Sequence, residues 1–161
     1  MESEKVSLRI ACVDDEAFLF ALYASTRAAE IAAWGWAEAQ VQAFLQMQFR
    51  AQRGHVAYPN AVEQIIEWEG NAVGHWLIAR PDGEIRMVDV ALLPAQQGLG
   101  IGTHLLQGLQ RTAHSEGLPI RLHVAYDNPA RFWYERHGFK LLEDRGSHWL
   151  MEWWAALNFT G

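Results

Sequence analysis

The chain has 161 residues, half of them hydrophobic and a fifth charged, with a formal net charge of −6. That length suits one domain over residues 1–161 with a full core, and a single cysteine excludes an internal disulfide or a cysteine-based zinc cluster. The acidic balance argues against a nucleic-acid partner and mildly favours a cationic one. No apolar run is long enough to span a membrane, and Met1-Glu2-Ser3-Glu4-Lys5 does not read as a signal peptide, so cytoplasm is the expected location.

In chain order, Val6 to Ala11 alternates as a first strand, and Cys12 beside Ile10 and Ala11 is expected to be a buried structural thiol. Asp14 is the expected N-cap of a first helix, with Phe18, Leu19, Leu22 and Tyr23 on its apolar side. A second helix is expected over Ala37 to Arg53, where Val41, Phe44, Leu45 and Gln48 recur at helical spacing. Between these helices lie Glu30 and the pair Trp34 and Trp36. Gln64 to Trp68, Glu69-Gly70-Asn71 and Ala72 to Ala79 read as a hairpin. Pro81-Asp82-Gly83-Glu84 turns the chain into a strand over Ile85 to Leu93, closed by Pro94. A helix carrying Leu105, Leu106, Leu109 and Ala113 on one face ends near Gly117, with Pro119 beyond it. Ile120 to Val124 is a strand, Ala130 to His137 a helix capped by Gly138, and Phe139 to Glu143 and His148 to Trp154 are the last strands. These patterns alone give an α/β or mixed α+β fold.

The stretch Gln97-Gly98-Leu99-Gly100-Ile101-Gly102 lies between the Ile85 strand and the following helix. Glycines remove the Cβ atoms that keep a pyrophosphate at a distance, and a helix's first N–H groups are free donors at the positive end of its dipole. No Lys-Ser/Thr follows, as a P-loop requires, and no acidic residue closes a dinucleotide-binding unit. Arg111, Arg121, Arg131 and Arg136 fall in the same half, where most of them are expected to be solvated surface charges.

The pattern Gln-x-x-Gly-x-Gly after a strand ending near proline resembles the acetyl-CoA pyrophosphate loop of the GNAT superfamily of N-acetyltransferases. A second block, Asn128-Pro129-Ala130-Arg131-Phe132-Trp133-Tyr134 through Gly138-Phe139, resembles the family's strand-to-helix passage beside the pantetheine arm. The resemblance implies a central, mostly antiparallel mixed sheet flanked by helices, in the order β-α-α-β-β-β-α-β-α-β-β. It implies acetyl-CoA as co-substrate, held by Gln97 to Thr103 with Asn128 and Arg131, and a small-molecule or peptide amine as acceptor. It also leaves a homodimer open.

Acyl transfer from a thioester needs a donor at the carbonyl oxygen, a base for the amine and an acid for the departing thiolate. The resemblance maps the donor to a backbone N–H around Leu92 and the acid to Tyr134, a phenol protonated at neutral pH. His123, Asp89 and Glu30 are the candidate bases. Trp34 and Trp36 are candidate walls of an acceptor pocket through cation–π contact, or staples of their loop to the core. The seven histidines include no His-x-His or His-Glu-x-x-His pair, so no metal is expected, and His104, His114 and His137 are placed on helix surfaces. A non-catalytic acyl-CoA-binding module is the alternative reading. A nucleotide-phosphate binder of another fold would rest on the glycines alone.

Overall fold

A computed structural model describes residues 5–54, 58 and 60–156. Its elements are β1 (Val6–Ile10), α1 (Glu16–Ala32), α2 (Glu38–Gly54), β2 (Val62–Trp68), β3 (Asn71–Ala79), β4 (Ile85–Leu92), α3 (Ile101–Glu116), β5 (Ile120–Ala125), α4 (Ala130–Arg136), β6 (Lys140–Asp144) and β7 (His148–Trp153). The order is the expected one, and most boundaries fall within two residues of the expected ones. Short 3-10 turns at Val13–Asp15 and Pro94–Gln96 were not legible as periodic patterns.

The strands form one seven-stranded sheet in the order β1-β2-β3-β4-β5-β7-β6, antiparallel everywhere except between β4 and β5. That parallel ladder is short: Ile85, Arg86 and Met87 pair with Ile120, Arg121 and Leu122, and the pairing stops there. Helices α3 and α4 cover one face. Ile101, Leu105, Leu106, Leu109 and Ala113 of α3 pack with Ile85, Met87, Ile120, Leu122 and Val124, and Tyr134 and Phe139 join the same cluster. The apolar stripe of α3 recurs at helical spacing, so one face of this helix is sealed on the sheet. Leu19, Phe49 and Ile65 form a smaller cluster that fastens α1 and α2 to the other face.

Two bulges reset the alternation of side chains. Opposite Leu77 and Ile78, β4 carries one extra residue, Val88, between Met87 and Asp89. Ile85 and Met87 face α3, and beyond the bulge it is Val90 and Leu92 that pack on that cluster. Asp89, two residues after Met87, is thereby turned to the α1/α2 face. A similar shift between Ile66 and Glu67 leaves Val73 as the extra residue of β3.

Three local expectations are corrected. Asp15 rather than Asp14 starts α1: its carboxylate accepts the Cys12 N–H at 2.8 Å and a two-pronged contact from Arg9 at 2.7 and 2.8 Å. The Arg9 guanidinium holds this buried carboxyl well below the usual range. Cys12 itself is exposed, because strand β1 ends at Ile10 and the chain has already left the sheet. The third correction concerns Glu30, which lies within α1 rather than between the helices, since α1 runs on to Ala32.

Candidate functional site

The parting of β4 from β5 beyond Met87 and Leu122 leaves strand edges facing a gap. Leu93 N donates to Val73 O at 2.8 Å, so Ala91 and Leu93 direct their amides toward β3. By alternation, the amides of Val90 and Leu92 point into the gap, where the β5 ladder has ended. The Leu92 carbonyl, on the same side, accepts from Gln97 Nε2 at 3.0 Å. Gln97 thus braces the end of β4, and the Leu92 N–H is left as a donor aimed at the opening.

Beyond the 3-10 turn the chain reaches the glycines. Gly98 and Gly100 have φ of 77° and 86°, a left-handed conformation that favours glycine. Gly100 caps α3 without a side-chain hydrogen bond, and no acidic residue occupies the first turn, so the leading amides of a 16-residue helix are free. Nothing lies within 4 Å of where a Cβ would stand at either Gly98 or Gly100. Gly102 differs: its missing Cβ would meet only the Trp133 ring, at 3.6 Å. Ile101 is buried, Thr103 half-buried and Leu99 exposed, so Leu99 and Ile101 can serve an anion through their backbone.

Tyr134 comes from α4 and is 7% exposed, with Trp133 at 5.1 Å and Phe139 at 5.4 Å edge-on to its ring. Burial, with the Asp89 charge added, pushes its phenol up to about 12. Among the described residues its hydroxyl has no hydrogen-bond partner. Asp89 itself is more than half exposed.

Behind Asp89 stands a pair of residues the sequence did not single out. His75 Nε2 lies 3.0 Å from Asp89 Oδ2, and His75 Nδ1 lies 2.9 Å from Glu63 Oε2. Glu63 is paired in turn with Arg53 of α2 at 3.1 Å. Burial opposes charging His75, but the hydrogen bonds to Asp89 and Glu63 outweigh it and push the imidazole up to about 9. The same His75 contact, with Arg53 behind it, lowers Glu63.

The other base candidates are placed elsewhere. His123 stands on the opposite face of β5 from Leu122 and Val124, the residues that pack with Tyr134. Its Nδ1 lies 3.3 Å from Arg86 Nη1, and burial together with the Arg86 charge lowers its pKa. Glu30 is exposed and bound to Arg27 at 3.0 Å. Of the three, only Asp89 perturbs Tyr134.

Asn128 accepts the Ala130 N–H at 2.9 Å, which opens α4. Arg131 pairs with Glu135 at 2.7 Å and lies 5.0 Å from the Trp149 ring. Arg121 is held between Glu84 and Glu152, while Arg111 and Arg136 are exposed. His114 is exposed, whereas His104 and His137 are half-buried, His137 bonding the Trp133 carbonyl at 2.8 Å. Trp34 and Trp36 pack on each other at 5.0 Å and both meet Phe44 of α2 at 5.5 Å. Trp36 also lines a groove of about 330 Å³ between α1 and α2, together with Ala28, Ile31, Glu38 and Val41. No group of three or more His, Cys, Asp or Glu side chains among the described residues is placed to hold a metal ion, and no helix among them is long and apolar enough to cross a membrane.

A sheet parted at its one parallel seam, with a glycine-opened helix at the parting and a tyrosine beside it, defines an acyltransferase-type α/β fold. The chain belongs to the acetyltransferase (GNAT) family, whose model matches residues 19–139. No curated protein gives a significant match. Among solved structures, it is similar to the PaiA N-acetyltransferase of Thermoplasma acidophilum in complex with coenzyme A. That likeness has a TM-score of 0.67 and 18% identity, over 92% of this chain and 98% of the other. An acetyltransferase of Thermus thermophilus gives 0.66 at 15% identity, over 94% and 97%. The ribosomal-protein-S18-alanine N-acetyltransferase of Escherichia coli gives 0.63 at 15% identity, over 97% and 99%.

Proposed function

We propose that this acetyltransferase moves the acetyl group of acetyl-CoA to a primary amine by direct attack, with Asp89 as base and Tyr134 as acid. The reading is supported by the electrostatic influence of the exposed Asp89 on Tyr134, a buried, protonated phenol without a hydrogen-bond partner among the described residues, and by the early end of the β4–β5 ladder. The residues present fit the coenzyme: the positions of Cβ atoms at Gly98 and Gly100 are open, and α3 offers uncapped amides. Gln97 to Thr103 would hold its pyrophosphate, with Asn128 and Arg131 toward the pantetheine arm. When bound, acetyl-CoA supplies the activated acyl group.

The chain's own groups then divide the work. Asp89 takes a proton from the acceptor's nitrogen as its lone pair engages the carbonyl carbon. The Leu92 N–H donates to the carbonyl oxygen as negative charge builds there. Tyr134 gives its proton to the sulfur as the carbon–sulfur bond breaks. Asp89 ends protonated and Tyr134 ionised, and a proton passing from the first to the second restores both. The acceptor comes from the α1/α2 face, where Asp89 emerges and where Trp34 and Trp36 offer aromatic surface to a cation.

The test is release of free thiol from acetyl-CoA across a panel of amines, including polyamines, amino acids and peptides with an N-terminal alanine. Turnover with at least one amine, lost in Asp89→Asn and strongly reduced in Tyr134→Phe, is the expected result. Coenzyme A binding without turnover on any amine would favour the non-catalytic module.

A further inference from the structure

Both ring nitrogens of His75 meet carboxylates, at 2.9 Å from Glu63 and 3.0 Å from Asp89. An ionised carboxylate only accepts hydrogen bonds, and a neutral imidazole has one N–H to give. With both carboxylates ionised, both contacts are satisfied only when the ring carries two protons. We propose that His75, braced by the half-buried Glu63 behind it, is a positioning residue that fixes the rotamer of Asp89 for proton abstraction.

The geometry makes this a directed device. Asp89 is on a bulged strand and is more than half exposed, so little packing restrains its carboxylate. His75 is one strand away, with its side chain 14% exposed, and presents a single N–H to Oδ2, which leaves Oδ1 free to meet the acceptor. Glu63, on the next strand, fixes the tilt of the ring and supplies the charge that keeps it protonated. The groups facing His75 are Glu63 from β2 and Asp89 from β4, with Arg53 of α2 reaching it through Glu63. Helix α1 packs on β3 and β4 but adds no charge to the balance at the ring. The imidazole shifted to about 9 agrees with this arrangement.

The inference rests on Asp89 as the base, and the experiment separates the two. At saturating substrates, kcat should fall on the alkaline side with a midpoint near 9, as His75 loses its proton and one contact becomes a clash of acceptors. Glu63→Gln, which is remote from the acceptor, should move that limb down by about one pH unit or more. His75→Gln should remove the limb and lower kcat about 10-fold, the worth of one charged hydrogen bond, with coenzyme A affinity unchanged. In the wild-type protein, ¹⁵N spectra should show both His75 nitrogens protonated at pH 7. A His75 ring that titrates near 6.5 overturns the proposal even if no variant folds. So does an alkaline limb unmoved in both Glu63→Gln and His75→Gln while Asp89→Asn is inactive. Wild-type turnover in Asp89→Asn is a different result, and removes the base assignment itself.

Discussion

Tyr134 shows how a single side chain is tuned by its surroundings. A phenol held near 12 by burial and by Asp89 stays protonated throughout the range where the amine reacts. Tyr134→Phe keeps the ring and its contacts with Trp133 and Phe139 and loses only the proton. Turnover should drop by about 10²–10⁴-fold, while calorimetry shows coenzyme A affinity nearly unchanged. The glycines separate in the same way. Gly100→Val forces a branched side chain into a left-handed backbone and into the open space proposed for the pyrophosphate, and should abolish coenzyme A binding. Gly102→Ala meets only the Trp133 ring at ordinary contact distance and should leave affinity within a few-fold of wild type.

At the scale of elements, the decisive feature is the bulge in β4, and it bears on what a sequence reveals. The strand over Ile85 to Leu93 was legible from its apolar run, and α3 from its stripe and glycine opening. The resemblance pointed to the loop and to Tyr134. Which face Asp89 occupies was not legible, because a simple two-residue alternation from Met87 sends it toward α3, and only the extra residue Val88 reverses it. His75 and Glu63 were missed for a related reason. They are 12 positions apart and meet only through the register of the β2–β3 hairpin, which carries a bulge of its own. Gly74 is a further position without a sequence signal: a Cβ there would collide with the Ala91 carbonyl oxygen and with Leu92. Gly74→Ala should displace the end of β4 and with it the Leu92 amide. The expected outcome is a loss of kcat larger than any loss of coenzyme A affinity, read from steady-state rates beside calorimetry.

For the molecule as a whole, binding the native state alone should make coenzyme A and acetyl-CoA raise the thermal midpoint, while NAD and ATP raise it much less. Folding stability should also depend on pH through His75. Its folded value, about 9, lies above the ordinary 6.5, so its contribution is complete below 6.5 and is lost as pH rises through 9. The shift sets an upper bound of about 3 kcal/mol on that contribution. Urea unfolding at pH 6 and pH 9.5 should show the loss in the wild type and a flatter profile in His75→Gln.

The short seam between β4 and β5 has a mechanical consequence. Three residue pairs tie the lobe of β1 to β4 to the lobe of β5, β7 and β6 within the sheet, and α3 is the chain's path from one lobe to the other. A wedge lodged where the strands diverge touches both lobes and acts as a pin across a hinge. Amide hydrogens of the seam should therefore exchange with deuterium faster than those of the β2–β3 ladder when the gap is empty, and slow when coenzyme A fills it.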